Sequence, residues 1–76
     1  MKVIFTDHAK ERMKLRVISE SIVRGALINP DSLEVGYDGK SLVFKKVKKG
    51  VIKVVFTQIK DTYIIISVIW HLINKK

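Results

Sequence analysis

An α+β domain of order β-α-α-β-β-β-β, with two helices packed on a mostly antiparallel four- to five-stranded sheet, is predicted by three features of this 76-residue chain. Helical patterning is confined to the stretch before Pro30. Asn29-Pro30 closes it, because proline cannot continue a helix and biases its predecessor away from α geometry. Beyond Pro30, apolar stretches are broken at Asp38-Gly39, Lys49-Gly50 and Lys60-Asp61, the spacing of consecutive hairpins. No repeat, linker or low-complexity tract interrupts residues 1–76, so a single domain is expected.

Taken in order, Val3-Ile4-Phe5 reads as a first strand that joins the sheet. Thr6 or Asp7 offers an oxygen to the exposed amides of a helix running from about Asp7 to Arg16. Its apolar stripe is thin: Ala9, Met13 and, at its edge, Leu15. Val17-Ile18 leaves that helix and Ser19 caps the next, with Ile18 and Val23 placed as a hydrophobic staple. Ile22, Val23, Ala26 and Leu27 give the second helix its buried face. Leu33, Val35 and Tyr37 alternate towards the Asp38-Gly39 turn. Strands then follow over about Ser41 to Lys48, Val51 to Ile59 and Thr62 to Trp70. His71 to Lys76 reads as one frayed helical turn.

The last strand is apolar on both sides. Simple alternation puts Ile64, Ile66, Val68 and Trp70 on one face and Tyr63, Ile65 and Ile69 on the other. Two helices cover one face of a sheet, so the second face calls for a second copy, a partner protein or strong curling. Association through that face, as a homodimer or with a partner, is the expectation.

Composition narrows the chemistry. The chain has no cysteine, which excludes disulfides and thiolate metal sites. Two histidines and seven carboxylates leave little for a dedicated metal site, so neither metal nor cofactor is expected. The apolar run Tyr63 to Trp70 is too short to span a bilayer, and no charged-then-apolar leader opens the chain. A soluble cytoplasmic domain without membrane contact is expected. Residues 1–38 carry six Lys/Arg and six Asp/Glu, whereas residues 39–76 carry nine Lys and one Asp. The entire net charge of +8 therefore lies in the second half. A one-sided field of this kind suits a polyanion such as RNA or DNA, and less often an acidic protein or membrane surface; the rival reading is a solvated, lysine-rich hairpin that serves solubility alone.

Two clusters are candidates for that contact. His8, Arg12 and Arg16 recur every four residues, so a helix sets them in one polar stripe. Guanidinium forks match phosphate oxygens, and an imidazole beside them can transfer a proton. These three are the catalytic candidates, expected to converge on one water-accessible pocket beside the lysines. The alternative is a set of solvated helix charges paired with Glu11, Glu20 or Asp31. Lys45, Lys46, Lys48, Lys49 and Lys53 surround one turn and are the candidate nucleic-acid-binding residues. They serve equally well to discourage edge pairing of the sheet. Trp70-His71 offers an aromatic for base stacking or a second imidazole, although such a tryptophan also fills cores.

The segment Thr6-Asp7-His8-Ala9-Lys10-Glu11-Arg12-Met13-Lys14-Leu15-Arg16-Val17-Ile18-Ser19 resembles the opening signature of the family called domain of unknown function 4258. That signature runs His-Ala, then Arg-Met or Arg-Leu, then Arg, then Ile-Ser or Ile-Pro. Asn29-Pro30-Asp31 and Ile65-Ile66-Ser67-Val68-Ile69-Trp70 are similar to its second-helix end and closing strand. Val17 departs from it, standing where the family commonly has Gly or Asn. The resemblance implies a fold like that of the RelE and BrnT toxins, small ribonucleases with helices on an antiparallel sheet. It further implies RNA as the target, an acidic antitoxin-like protein as a partner, and a metal-independent endoribonuclease as the enzyme class. The rival readings are a non-catalytic RNA-binding module and a dimeric or partner-binding interaction domain.

Overall fold

The computed structural model describes residues 1–71, and its elements follow the order read from the sequence. They are β1 (Lys2–Phe5), α1 (Asp7–Arg16), α2 (Glu20–Ile28), β2 (Ser32–Val35), β3 (Lys40–Val47), β4 (Gly50–Ile59) and β5 (Thr62–His71). The five strands form one sheet in the order β1-β5-β4-β3-β2. Strands β2 to β5 make an antiparallel meander, and β1 adds a parallel edge beside β5. The fold is α+β, with a mixed sheet of five strands.

Local chemistry accounts for the helix ends. Thr6 Oγ1 accepts the Ala9 amide at 3.1 Å, and Ser19 Oγ accepts the Ile22 amide at 3.2 Å. Each satisfies one of the amides that a helix start leaves without an internal partner. Helix α1 buries Ala9 and Met13, while Leu15 is 67% exposed and contributes nothing to the core. Helix α2 buries Val23, Ala26 and Leu27, with Ile22 at the margin and Ile18 buried before the cap.

The turns obey their residues. Asp38 and Gly39 both take positive φ (57° and 71°), and the Lys40 amide donates to the Tyr37 carbonyl at 3.1 Å. Two successive positive-φ residues twist with the flanking strands, and aspartate-glycine adopts that shape at little cost. Val47 pairs with Gly50, so the next turn is centred on Lys48-Lys49, one residue earlier than the Lys49-Gly50 break. Ile59 pairs with Thr62 across Lys60-Asp61, as the sequence implies.

One face of the sheet carries the core. Val43, Ile52, Val54, Phe56, Ile65 and Val68 pack there with the buried residues of both helices. A bulge corrects the simple alternation expected in β5. Phe56 pairs with Ile65 but Val55 pairs with Ser67, leaving Ile66 as the extra residue. The parity of the strand therefore switches, and Tyr63 and Ile65 share the core face with Val68 and Trp70. Ile64, Ser67 and Ile69 face the other way. His71 pairs with Val51 as the last strand residue instead of opening a helical turn. The rest of that expected turn, residues 72–76, lies outside the described residues.

Cross-strand partners share a face, so the register also fixes the second side of the sheet. Leu42 and Val55, Phe44 with Lys53 and Ile69, and Val51 with His71 lie on it. These apolar residues are half-buried, and both helices pack on the opposite face. Among the described residues, no helix is long and apolar enough to cross a membrane.

Candidate functional site

Three elements end at one corner of the sheet, and the chain's geometry requires it. Phe5 pairs with Ile65, so the chain enters α1 beside the middle of β5. Thr6 fastens that point, its hydroxyl donating to the Ile65 carbonyl at 2.9 Å. The ten residues of α1 then rise about 15 Å. From Ile65 to Trp70 a strand covers about 17 Å. The last turn of α1 consequently arrives at the end of β5.

That arrival is bonded in both directions. The indole Nε1 of Trp70 donates to the Arg16 carbonyl at 3.1 Å, and Arg16 Nη1 donates to the Val68 carbonyl at 3.3 Å. Because Ile52 pairs with Trp70 and Val51 with His71, the Lys48-Lys49 turn stands beside the same corner. Between them lies an open cleft of about 630 Å³. Arg16, Val17 and Trp70 line it from the helix side of the sheet, Val51 and His71 from the second side, and Lys49 and Gly50 from the turn.

Among the described residues, no carboxylate lines the cleft. The ion pairs among those residues are Arg24 with Glu20 and Lys45 with Asp31, both at 3.8 Å, and neither includes Arg16 or Lys49. Arg16 from α1 and Lys49 from the turn thus border one space, an arrangement suited to an anion, while His71 lines it from the second face of the sheet. His71 also meets the edge of Phe44, with ring centroids 5.0 Å apart, and borders a shallower hollow with Ser32 and Glu34.

The sequence-derived candidates are distributed as follows. Arg16 lines the cleft. Arg12 is half-buried one turn back and makes no ion pair among the described residues. His8 is exposed at the opposite end of α1, about 12 Å along the axis from Arg16, and does not line the cleft. Of the five lysines, Lys49 reaches the cleft and Lys48 shares its turn. Lys45 is paired with Asp31, whose Oδ2 also accepts the Lys46 amide at 2.7 Å. Lys46 and Lys53 lie on the open sheet face with Val51 and Phe44. Among the described residues, no three His, Asp or Glu side chains gather as a metal site requires.

Val17, Gly50 and Val51 were not identified as site residues from sequence. Gly50 did leave a signal as the glycine ending the lysine run. Its φ of +149° is a region side chains rarely adopt, and a Cβ there would stand 3.8 Å from Trp70 Cε3 and Cζ3.

Residues 5–70 match a family model described as Domain of unknown function (DUF4258). No curated protein matches the chain, and no solved structure does.

Proposed function

The chain belongs to the DUF4258 family, a domain of unknown function, and from the surface described above we propose that it is an RNA-directed cationic domain. One observation carries this reading: Arg16 and Lys49 line one open cleft that, among the described residues, has no carboxylate in its lining. A guanidinium and an ammonium there grip a backbone phosphate, and the remaining lysines add the sequence-independent attraction of a basic surface. Lys46, Lys48 and Lys53 extend that field beyond the cleft, on the turn and the open sheet face.

The resemblance to RelE and BrnT toxins extends the reading to metal-independent cleavage of RNA. Of the two histidines, His71 is the one that lines the cleft, from the second face of the sheet, so it is the nearer proton-transfer candidate. Arg16 and Lys49 offset charge on the phosphate oxygens. His8 and Arg12 remain the helix-borne alternative.

The experiment is binding and cleavage of labelled single-stranded RNA at low salt, compared across His71→Ala, Arg16→Ala and His8→Ala proteins. Loss of binding with Arg16→Ala, and loss of cleavage with His71→Ala but not His8→Ala, supports the cleft as the site. Cleavage that follows His8 instead returns the chemistry to the helix stripe. Binding without cleavage in every protein leaves an RNA-binding module. A stable dimer without RNA affinity favours association through the open sheet face, with a second copy or an acidic antitoxin-like protein.

A further inference from the structure

Building on the RNA-directed reading, we propose that the cleft receives one unpaired nucleobase laid against the indole of Trp70, with an adjoining phosphate held by Arg16 and Lys49. A phosphate site alone needs donors and charge. This cleft is lined in addition by Trp70, Val17 and Val51, apolar surface that an inorganic anion cannot use. At about 630 Å³ it lies within the range of about 300–1,000 Å³ usual for organic ligands.

The tryptophan is held and half-buried, packing against the core and also lining the cleft. Its Nε1 donates to the Arg16 carbonyl at 3.1 Å, which anchors the ring at the corner. On its benzenoid edge the neighbour is Gly50, where a Cβ would stand 3.8 Å from Cε3 and Cζ3. The positive φ of Gly50 keeps the position to glycine, so no side chain stands at that contact. Every nucleobase has a flat π-face, so stacking here tolerates sequence while still requiring an unstacked base. An A-form duplex keeps its bases stacked inside and presents sugar and phosphate, so it offers Trp70 no free base.

Trp70 is the chain's one tryptophan, so its emission reports this cleft directly. The unmodified protein is titrated with a short single-stranded oligouridylate, an abasic ribose-phosphate chain of equal length, an RNA duplex and polyglutamate. Binding is followed in parallel by anisotropy of labelled ligand. The proposal expects saturable quenching with the oligouridylate and none with the other three. Oligouridylate binding without quenching overturns base stacking and leaves the RNA-directed reading standing. Equal quenching by polyglutamate overturns base recognition in favour of an acidic protein. No binding at low salt by either readout removes both readings. Two variants close the argument, since Trp70→Phe and Trp70→Leu lose the same bond to Arg16 but only phenylalanine keeps a ring. With folding checked by circular dichroism, leucine should bind about tenfold or more weakly than phenylalanine. Equal affinities sink the stacking role.

Discussion

Trp70 donates its indole N–H to the carbonyl of Arg16, the last residue of α1, and so ties the end of the first helix to the end of the last strand. Carbonyls in a helix's last turn have no partner within the helix. Here the indole supplies one across 54 residues of chain. Trp70→Phe keeps most of the apolar contact and leaves the half-buried carbonyl without its donor. A loss of about 1–2 kcal/mol is expected. Urea unfolding should show a lower midpoint with an unchanged slope, and an unchanged midpoint would mean that the bond adds nothing.

The two N-caps should not be equivalent. Ser19 Oγ accepts one exposed amide, and Ser19→Ala should cost about 1 kcal/mol. Thr6 Oγ1 accepts the Ala9 amide and also donates to Ile65, so it joins helix to strand. Thr6→Ala should therefore cost roughly twice as much, about 2 kcal/mol. Thr6→Ser, which keeps both bonds, should recover most of it. Equal losses for Thr6→Ala and Ser19→Ala in thermal melts would remove the strand bond from the account.

Helix α1 ends in a left-handed residue that is not glycine. Val17 has φ 56° and ψ 53°, the Ile18 amide donates to the Met13 carbonyl at 2.9 Å, and Ile18 and Met13 are both buried. This is the Schellman arrangement, with a β-branched residue in the position glycine usually takes. The left-handed conformation costs an L-residue roughly 1–2 kcal/mol, more than glycine's extra chain entropy. Val17 is 71% exposed, so little packing is lost on removing it. Val17→Gly should stabilise the domain by about 0.5–1 kcal/mol and raise its Tm. A lower Tm would show that valine's contacts outweigh its strain.

Much of the fold was legible because the signals were local. Asp38-Gly39 dictates its turn, Ser19 its cap and Asn29-Pro30 its stop, each within a few residues. The bulge at Ile66 was not legible, since Tyr63-Ile64-Ile65-Ile66 is uniformly apolar and carries no period to read. Which of those residues turn inward is decided by β4, β1 and the helices. The site was half legible for the same reason. Spacing of four put Arg12 and Arg16 on one flank of α1, but could not say which end of which strand that flank would meet. The parallel pairing of β1 with β5 decides it, carrying Arg16 to Trp70 and His71 and leaving His8 about 12 Å behind.

Lysines of equal charge should then differ in their effect on RNA binding. Among the described residues Lys49 lines the cleft and makes no ion pair, whereas Lys45 stands 3.8 Å from Asp31 and must leave that pair to meet a phosphate. For single strands, each neutralised phosphate contributes about 0.7 to the slope of log affinity against log salt. Lys49→Gln should lower the slope by about that amount, while Lys45→Gln should lower it by clearly less. The comparison holds total charge constant, because each variant removes one lysine. Identical slopes would mean that the RNA responds to the diffuse field of the hairpin and makes no contact at the corner.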